Sequence, residues 1–131
     1  MTNRNPTVPA LAIALTTLLG GCAAAPSAPA PVATISHVVF VRLADPADTP
    51  RALADSDATL RSIPSVASYS AGVHIDTGRD SVLSDYDVGI VLGFDSAEDL
   101  AAYVAHPAHV AFVERWKDRV TSLRVYDIHD R

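Results

Sequence analysis

The sequence predicts an α+β domain with the element order β-α-β-β-α-β. Three observations carry this. Period-two alternation of apolar residues marks four strand segments between residues 35 and 129. Helix-capping signals open two helical stretches, one after the first strand and one after the third. Between the second and third strands the chain offers turn residues, with Gly78 beside Arg79 and Asp80. The order is the split βαβ, or ferredoxin-like, arrangement: an antiparallel sheet with its helices on one face.

The first strand spans 35–43. Ile35, His37, Val39, Val41 and Leu43 fall on one face, Val38 and Phe40 on the other. Thr49-Pro50 reads as an N-cap followed by proline at the first helical position. Leu53, Leu60 and Ile63 form the apolar stripe of that helix, and Pro64 stops it. The second strand is expected over 66–76, with Tyr69, Ala71, Val73 and Ile75 on one side. The third, 86–95, sets Tyr86, Val88, Ile90, Leu92 and Phe94 against Asp87, Gly89, Val91 and Gly93. Ser96-Ala97-Glu98-Asp99 resembles a capping box and opens a helix carrying Leu100 and Tyr103. Pro107 lacks an N–H and disfavours the α conformation at His106, so that helix ends near Ala105 and restarts at Pro107. The restarted helix carries Val110, Phe112, Val113 and Trp116. The last strand, 122–129, alternates Leu123 and Val125 against Tyr126 and Ile128.

An antiparallel sheet covered by helices on one face usually leaves the other polar. Here the first and third strands lack a consistently polar face, and no further element remains to cover it. A homodimer with sheets packed face to face is the expected solution.

The residues before the domain read as an address. Arg4 supplies a positive n-region, and Val8 to Leu19 are uncharged and too few to span a bilayer. Leu19-Gly20-Gly21-Cys22 resembles the bacterial lipobox. Cys22 is the single cysteine, which lipidation would explain. The expected organisation is a lipoprotein signal peptide over 1–21, an Ala/Pro-rich tether over 22–33 and a folded domain over 34–131. Prolines favour a semi-rigid tether. Ala23 after the cysteine, rather than Asp, resembles outer-membrane lipoproteins, so the domain is expected lipid-anchored in the cell envelope, facing the periplasm.

The net charge is −5. Arg115, Lys117, Arg119 and Arg124 cluster late, but Glu114, Asp118 and Asp127 interleave with them. That is the pattern of a solvated face, and no nucleic-acid partner is expected.

The chemistry concentrates in residues 103–112. A phenol and two imidazoles fall within seven positions, as Tyr103, His106 and His109. With the chain broken at Pro107, Tyr103 and His109 can face one pocket from two short helices. Histidine titrates near neutrality and a phenol can donate a hydrogen bond, so the pair can move protons on a small substrate. The alternative is that both residues pack helices on the sheet. His106 and His109 can also be read as metal ligands three apart. Zinc wants three or four ligands, only His74 is nearby and no cysteine matches, so His106 reads instead as capping or packing at the helix break and no metal is expected. Gly89 and Gly93 share a strand face, marking either a hollow beneath the helices or tight packing. Phe112 and Trp116, four apart, read as core more than pocket. Asp85 and Asp87 read as a loop end and a strand edge rather than as paired catalytic acids.

The opening Ser36-His37-Val38-Val39-Phe40-Val41-Arg42-Leu43 resembles the stress-responsive dimeric α/β-barrel (Dabb) family. So do Phe94-Asp95-Ser96, Tyr103 with His106-Pro107-Ala108-His109 and Phe112, and the closing Leu123-Arg124-Val125-Tyr126-Asp127. The match covers essentially all of 34–131, and the His-Pro-x-His element is its specific part. The resemblance implies a ferredoxin-like fold whose dimer closes into a barrel. In the family's olivetolic acid-forming plant polyketide cyclase, the second histidine of this element and the tyrosine six positions earlier perform an intramolecular aldol condensation without metal or organic cofactor. By resemblance, His109 is the general base, Tyr103 donates to the developing oxyanion, and His37 matches a first-strand histidine. The plant cyclase has aromatic residues on its first helix beside its pocket. Residues 48–64 hold none here, so Ala52, Leu53, Ala54 and Leu60 are expected to shape a different cavity.

Three functions follow as expectations. The first is a tethered, stress-related small-ligand-binding or structural protein. The second is a cofactor-independent cyclase- or lyase-type enzyme acting on a small apolar carbonyl compound through His109 and Tyr103. The third is a haem- or quinone-handling oxygenase, which related barrel families include. The first two divide on whether a cavity opens beside His109.

Overall fold

A computed structural model describes residues 33–130. The expected signal peptide, Cys22 and the expected tether up to residue 32 lie outside the described residues, as does Arg131. Strand β1 (Ile35–Leu43) leads through a short 3₁₀ turn into helix α1 (Thr49–Thr59). Strands β2 (Ser68–Gly72) and β3 (Val88–Phe94) follow, then helices α2 (Ala97–Ala105) and α3 (Pro107–Trp116), and strand β4 (Val120–His129) closes the order. All pairings are antiparallel and the sheet order is β2-β3-β1-β4. The ferredoxin-like α+β expectation holds.

Local chemistry sets the boundaries. Ser96 Oγ accepts from the Asp99 N–H at 3.1 Å and donates to its carboxylate at 2.7 Å, so the expected cap is present. Thr49 does not cap α1; it is already helical, and Asp48 precedes it with its carboxylate turned to Arg119 instead. α1 also stops short of Pro64, at Thr59, and Leu60 and Ile63 are buried in the turn beyond it. Its buried face is Ala52 and Ser56, with Leu53 only partly covered.

Strand β2 corrects the sequence reading. Residues 73–76 alternate as a strand should, yet the ladder ends where Gly72 faces Gly89. Strand β3 begins at Val88, so residues 73–76 have no partner strand, and Val73 and Ile75 lie exposed. Tyr86 and Asp87 likewise precede β3. Strand β4 starts two residues earlier than expected, at a bulge opposite Arg42 and Leu43.

The helices cover one face. Val88, Ile90, Leu92, Phe94 and Leu43 form the core with Tyr103 and Trp116. The opposite face carries Val38, Phe40, Val91, Tyr126 and Ile128, the last three of them exposed. Phe40 contacts Tyr86 at 4.8 Å and Tyr126 at 6.4 Å between ring centres. Gly89 and Gly93 belong to this open face, not to a hollow beneath the helices. A Cβ at Gly93 would collide with Ser68 and Ala33, and one at Gly89 would rest on Phe40 and Tyr86.

Candidate active site

Between the sheet and the helices lies a cavity of about 460 Å³, open on one side. Its floor is the helix-facing side of β1, with His37, Val39, Val41 and Leu43, continued by Val88, Ile90 and Leu92 of β3. Phe112 and Trp116 complete the wall from α3, so they line the pocket while Trp116 also belongs to the core. On the first helix Ala52 and, just past its end, Leu60 reach the cavity; Leu53 and Ala54 do not. Among the described residues, and apart from Trp116, the polar lining residues are His37, Tyr103, His109 and Lys117. An apolar hollow with a few convergent polar groups is the usual form of a small-molecule site.

The break at Pro107 places the pair. His106 takes an extended conformation at ψ 135°, and its Nδ1 accepts from the Ala108 N–H at 3.1 Å, capping α3. His106 is therefore the capping residue that the sequence allowed. The turn brings the Tyr103 and His109 rings to 4.5 Å between centres. His109 Nδ1 donates to the Val104 carbonyl at 2.9 Å. A carbonyl can only accept, so the proton sits on Nδ1 and Nε2 keeps its lone pair. Burial lowers the His109 pKa below its ordinary 6.5, outweighing the Val104 bond, and the nearby His37 acts in the same direction. The imidazole is thus neutral at physiological pH, as a base must be.

Tyr103 is 2 % exposed and packs against Phe94 at 5.2 Å. Burial, assisted by Tyr69, pushes its phenol far above the ordinary range, so it keeps its proton and is able to donate a hydrogen bond. His37 sits 5.8 Å from Tyr103, ring centre to ring centre. All three sequence-predicted residues therefore line one cavity. The sequence reading missed Asp127, whose carboxylate lies 2.6 Å from His37 Nδ1. The only signal for it is register: His37 and Asp127 are directly opposed across β1 and β4.

The remaining candidates have structural partners. Asp85 holds Arg124 through two hydrogen bonds, and Asp87 accepts from the Leu43 N–H. Arg115, Lys117 and Arg119 pair with Asp55, Glu114 and Asp48. Asp55 also accepts from the Trp116 indole at 2.7 Å. Burial opposes its charge, but the hydrogen bonds from Arg115 and Trp116 prevail and hold the carboxyl below its usual range. His74 packs edge-on against Tyr86 in the connection before β3 rather than beside His109. Among the described residues no group of three His, Cys, Asp or Glu side chains could hold a metal ion. No helix among them is long and apolar enough to cross a membrane.

Several solved structures share this architecture. A Dabb family protein with a ferredoxin-like fold from Mesorhizobium loti is 27% identical, with a TM-score of 0.62 over 74% of this chain and 96% of that one. A dimeric ferredoxin-like protein of unknown function from Thermobifida fusca is 19% identical, with a TM-score of 0.62 over 73% and 90%. A hydroxynitrile lyase from Passiflora edulis is 14% identical, with a TM-score of 0.65 over 77% and 96%. At these identities the last two show the fold alone. No curated protein matches the chain. The family model of the stress responsive A/B barrel domain (Dabb) matches residues 35–130, and the chain belongs to that family.

Proposed function

We propose that this protein uses its own side chains to transfer protons on a small, mostly apolar carbonyl compound, with His109 as general base and Tyr103 as hydrogen-bond donor. The observation that carries the reading is the cavity itself. It opens beside His109, and the Tyr103 and His109 rings stand 4.5 Å apart in its wall. A purely structural pair has no need of a hollow of this size. In the proposed step His109 Nε2 takes a proton from the carbon next to the carbonyl. The C–H electron pair forms the enolate double bond, the carbonyl pair moves to oxygen, and Tyr103 donates a hydrogen bond to that oxygen. The cavity's apolar lining would strengthen the interaction by excluding water.

Exchange of α-hydrogens of octan-2-one in D₂O, followed by proton NMR, tests the step without knowledge of the natural substrate. The wild type should accelerate exchange, and His109→Ala should reduce it by about a hundredfold or more. Equal rates with wild type and variant would defeat the reading.

Two wider features belong to the same proposal. The open sheet face, with Val91, Tyr126 and Ile128 exposed, supports a homodimer joined face to face. The dimeric description of the Thermobifida fusca neighbour accords with that assembly. Leu19-Gly20-Gly21-Cys22 supports lipidation at Cys22 and anchoring in the cell envelope, on the outer membrane facing the periplasm. Mass spectrometry of membrane-extracted protein should find the diacylglyceryl mass on Cys22; an unmodified, soluble form from the native host would refute the anchor.

A further inference from the structure

We propose that Asp127 is a positioning residue whose carboxylate presents His37 Nε2 to the cavity as a second acceptor, so that the site selects carbonyl compounds that also carry a hydroxyl group. The inference deepens the acid–base reading above and rests on it.

The argument begins with register. His37 and Asp127 are directly opposed on neighbouring antiparallel strands, a position where side chains on one face meet. Their contact is 2.6 Å, the length of a strong charge-assisted bond. An ionised carboxylate only accepts, so the proton of a neutral His37 ring lies on Nδ1 and the lone pair on Nε2. This is how a partner at one ring nitrogen commonly decides what the other can do. No group among the described residues bonds Nε2, and His37 lines the cavity.

The cavity therefore holds one donor and two acceptors. Tyr103 offers a proton to a carbonyl oxygen. His109 Nε2 meets the carbon acid. His37 Nε2, on a ring whose centre lies 5.8 Å from that of Tyr103, is left over. A plain ketone filling the cavity has nothing to give it and screens it from solvent, and an acceptor desolvated without a donor is costly. A ligand hydroxyl satisfies it. A site built around such an acceptor discriminates strongly against analogues lacking the hydroxyl. Lys117, the other polar group at the cavity, is already engaged by Glu114 at 2.6 Å.

The test compares octan-2-one with 3-hydroxyoctan-2-one and 4-hydroxyoctan-2-one, binding each to the full domain and following chemical shifts by NMR. At least one hydroxy ketone should bind the wild type about tenfold more tightly than octan-2-one. Asp127→Ala should bring that preference, read as the ratio of the two affinities in the same variant, down to about twofold or less. The Asp127 side chain is 54% exposed on an edge strand, so the fold should tolerate the change. In ¹⁵N–¹H spectra His37 should carry its proton on Nδ1 in the wild type and populate the Nε2–H form in Asp127→Ala. Equal binding of all three ketones by the wild type, an unaltered preference in Asp127→Ala, or an Nε2–H His37 in the wild type would each overturn the proposal. Failure of the acid–base reading is separable: it appears as absent α-hydrogen exchange in the wild type, with the hydroxyl preference and the His37 tautomer intact.

Discussion

Tyr103→Phe separates chemistry from stability, because it removes one hydroxyl and keeps the ring. The ring is 2 % exposed and fixed between Phe94 at 5.2 Å and His109 at 4.5 Å, and phenylalanine keeps both contacts. Only the hydroxyl is lost. Burial dominates the rise in its pKa, and no hydrogen bond contributes to it. Removing a hydroxyl that has no protein partner breaks no hydrogen bond within the protein. The folded state should therefore be unchanged or more stable by up to about 1 kcal/mol. In a domain near 100 residues that is a rise in melting temperature of at most about 8 °C. The same hydroxyl is the proposed oxyanion donor, and losing such a donor costs about a hundredfold to a thousandfold in rate. Thermal denaturation and octan-2-one exchange, measured on one preparation, read both quantities. The expected result is a domain at least as stable as the wild type whose exchange rate collapses. A clear fall in melting temperature with exchange unaffected would show that the hydroxyl holds the fold together and takes no part in proton transfer.

Other predictions follow from neighbouring contacts. Asp55→Ala should destabilise the domain by about 2–3 kcal/mol, because the Trp116 N–H loses its partner inside the core while the half-exposed Arg115 adds little; urea denaturation measures it, and Asp55→Asn should recover part of the loss. Acidification should weaken the fold below pH about 6.5, since the unfolded chain then binds a proton that the depressed pKa of His109 resists, and above that pH this contribution is flat. Exchange activity, by contrast, should persist below the ordinary histidine midpoint, because the folded base stays neutral there; a pH–rate profile with its midpoint at or above 6.5 would contradict the burial of His109. Val91→Lys places a charge on the open sheet face without entering the core, so light scattering should report a dimer for the wild type and a folded monomer for the variant.

Much of the fold was legible because its signals are local. The Ser96 cap, the break at Pro107 and the alternation of β1 and β3 each depend on residues a few positions apart. The second strand was overdrawn for a complementary reason. Val73 and Ile75 satisfy the strand period, but a strand also needs a partner, and β3 supplies none beyond Gly89. At the site, Tyr103 and His109 could be named in advance because residue type and spacing already carry chemistry, and His37 through the family resemblance. Asp127 could not. Its meaning comes from an opposition across 90 positions of sequence, and alone it reads as one more charge in a mixed run. The same holds for the first helix, where Ser56 rather than Leu53 fills the buried face because its hydroxyl meets Tyr69 at 2.8 Å.

The interruption between α2 and α3 has a consequence for what counts as an intact site. In an unbroken helix the Val104 carbonyl would take the N–H of Ala108, four residues on. Here that N–H goes to His106, and the vacated carbonyl receives His109 Nδ1 instead. The orientation of the base is thus a by-product of a missing backbone bond. A homologue that healed this junction into continuous helix could retain the tyrosine and the second histidine and still have no committed base. Screening relatives for those two side chains alone would miscount them; the informative trait is the discontinuity that frees one carbonyl.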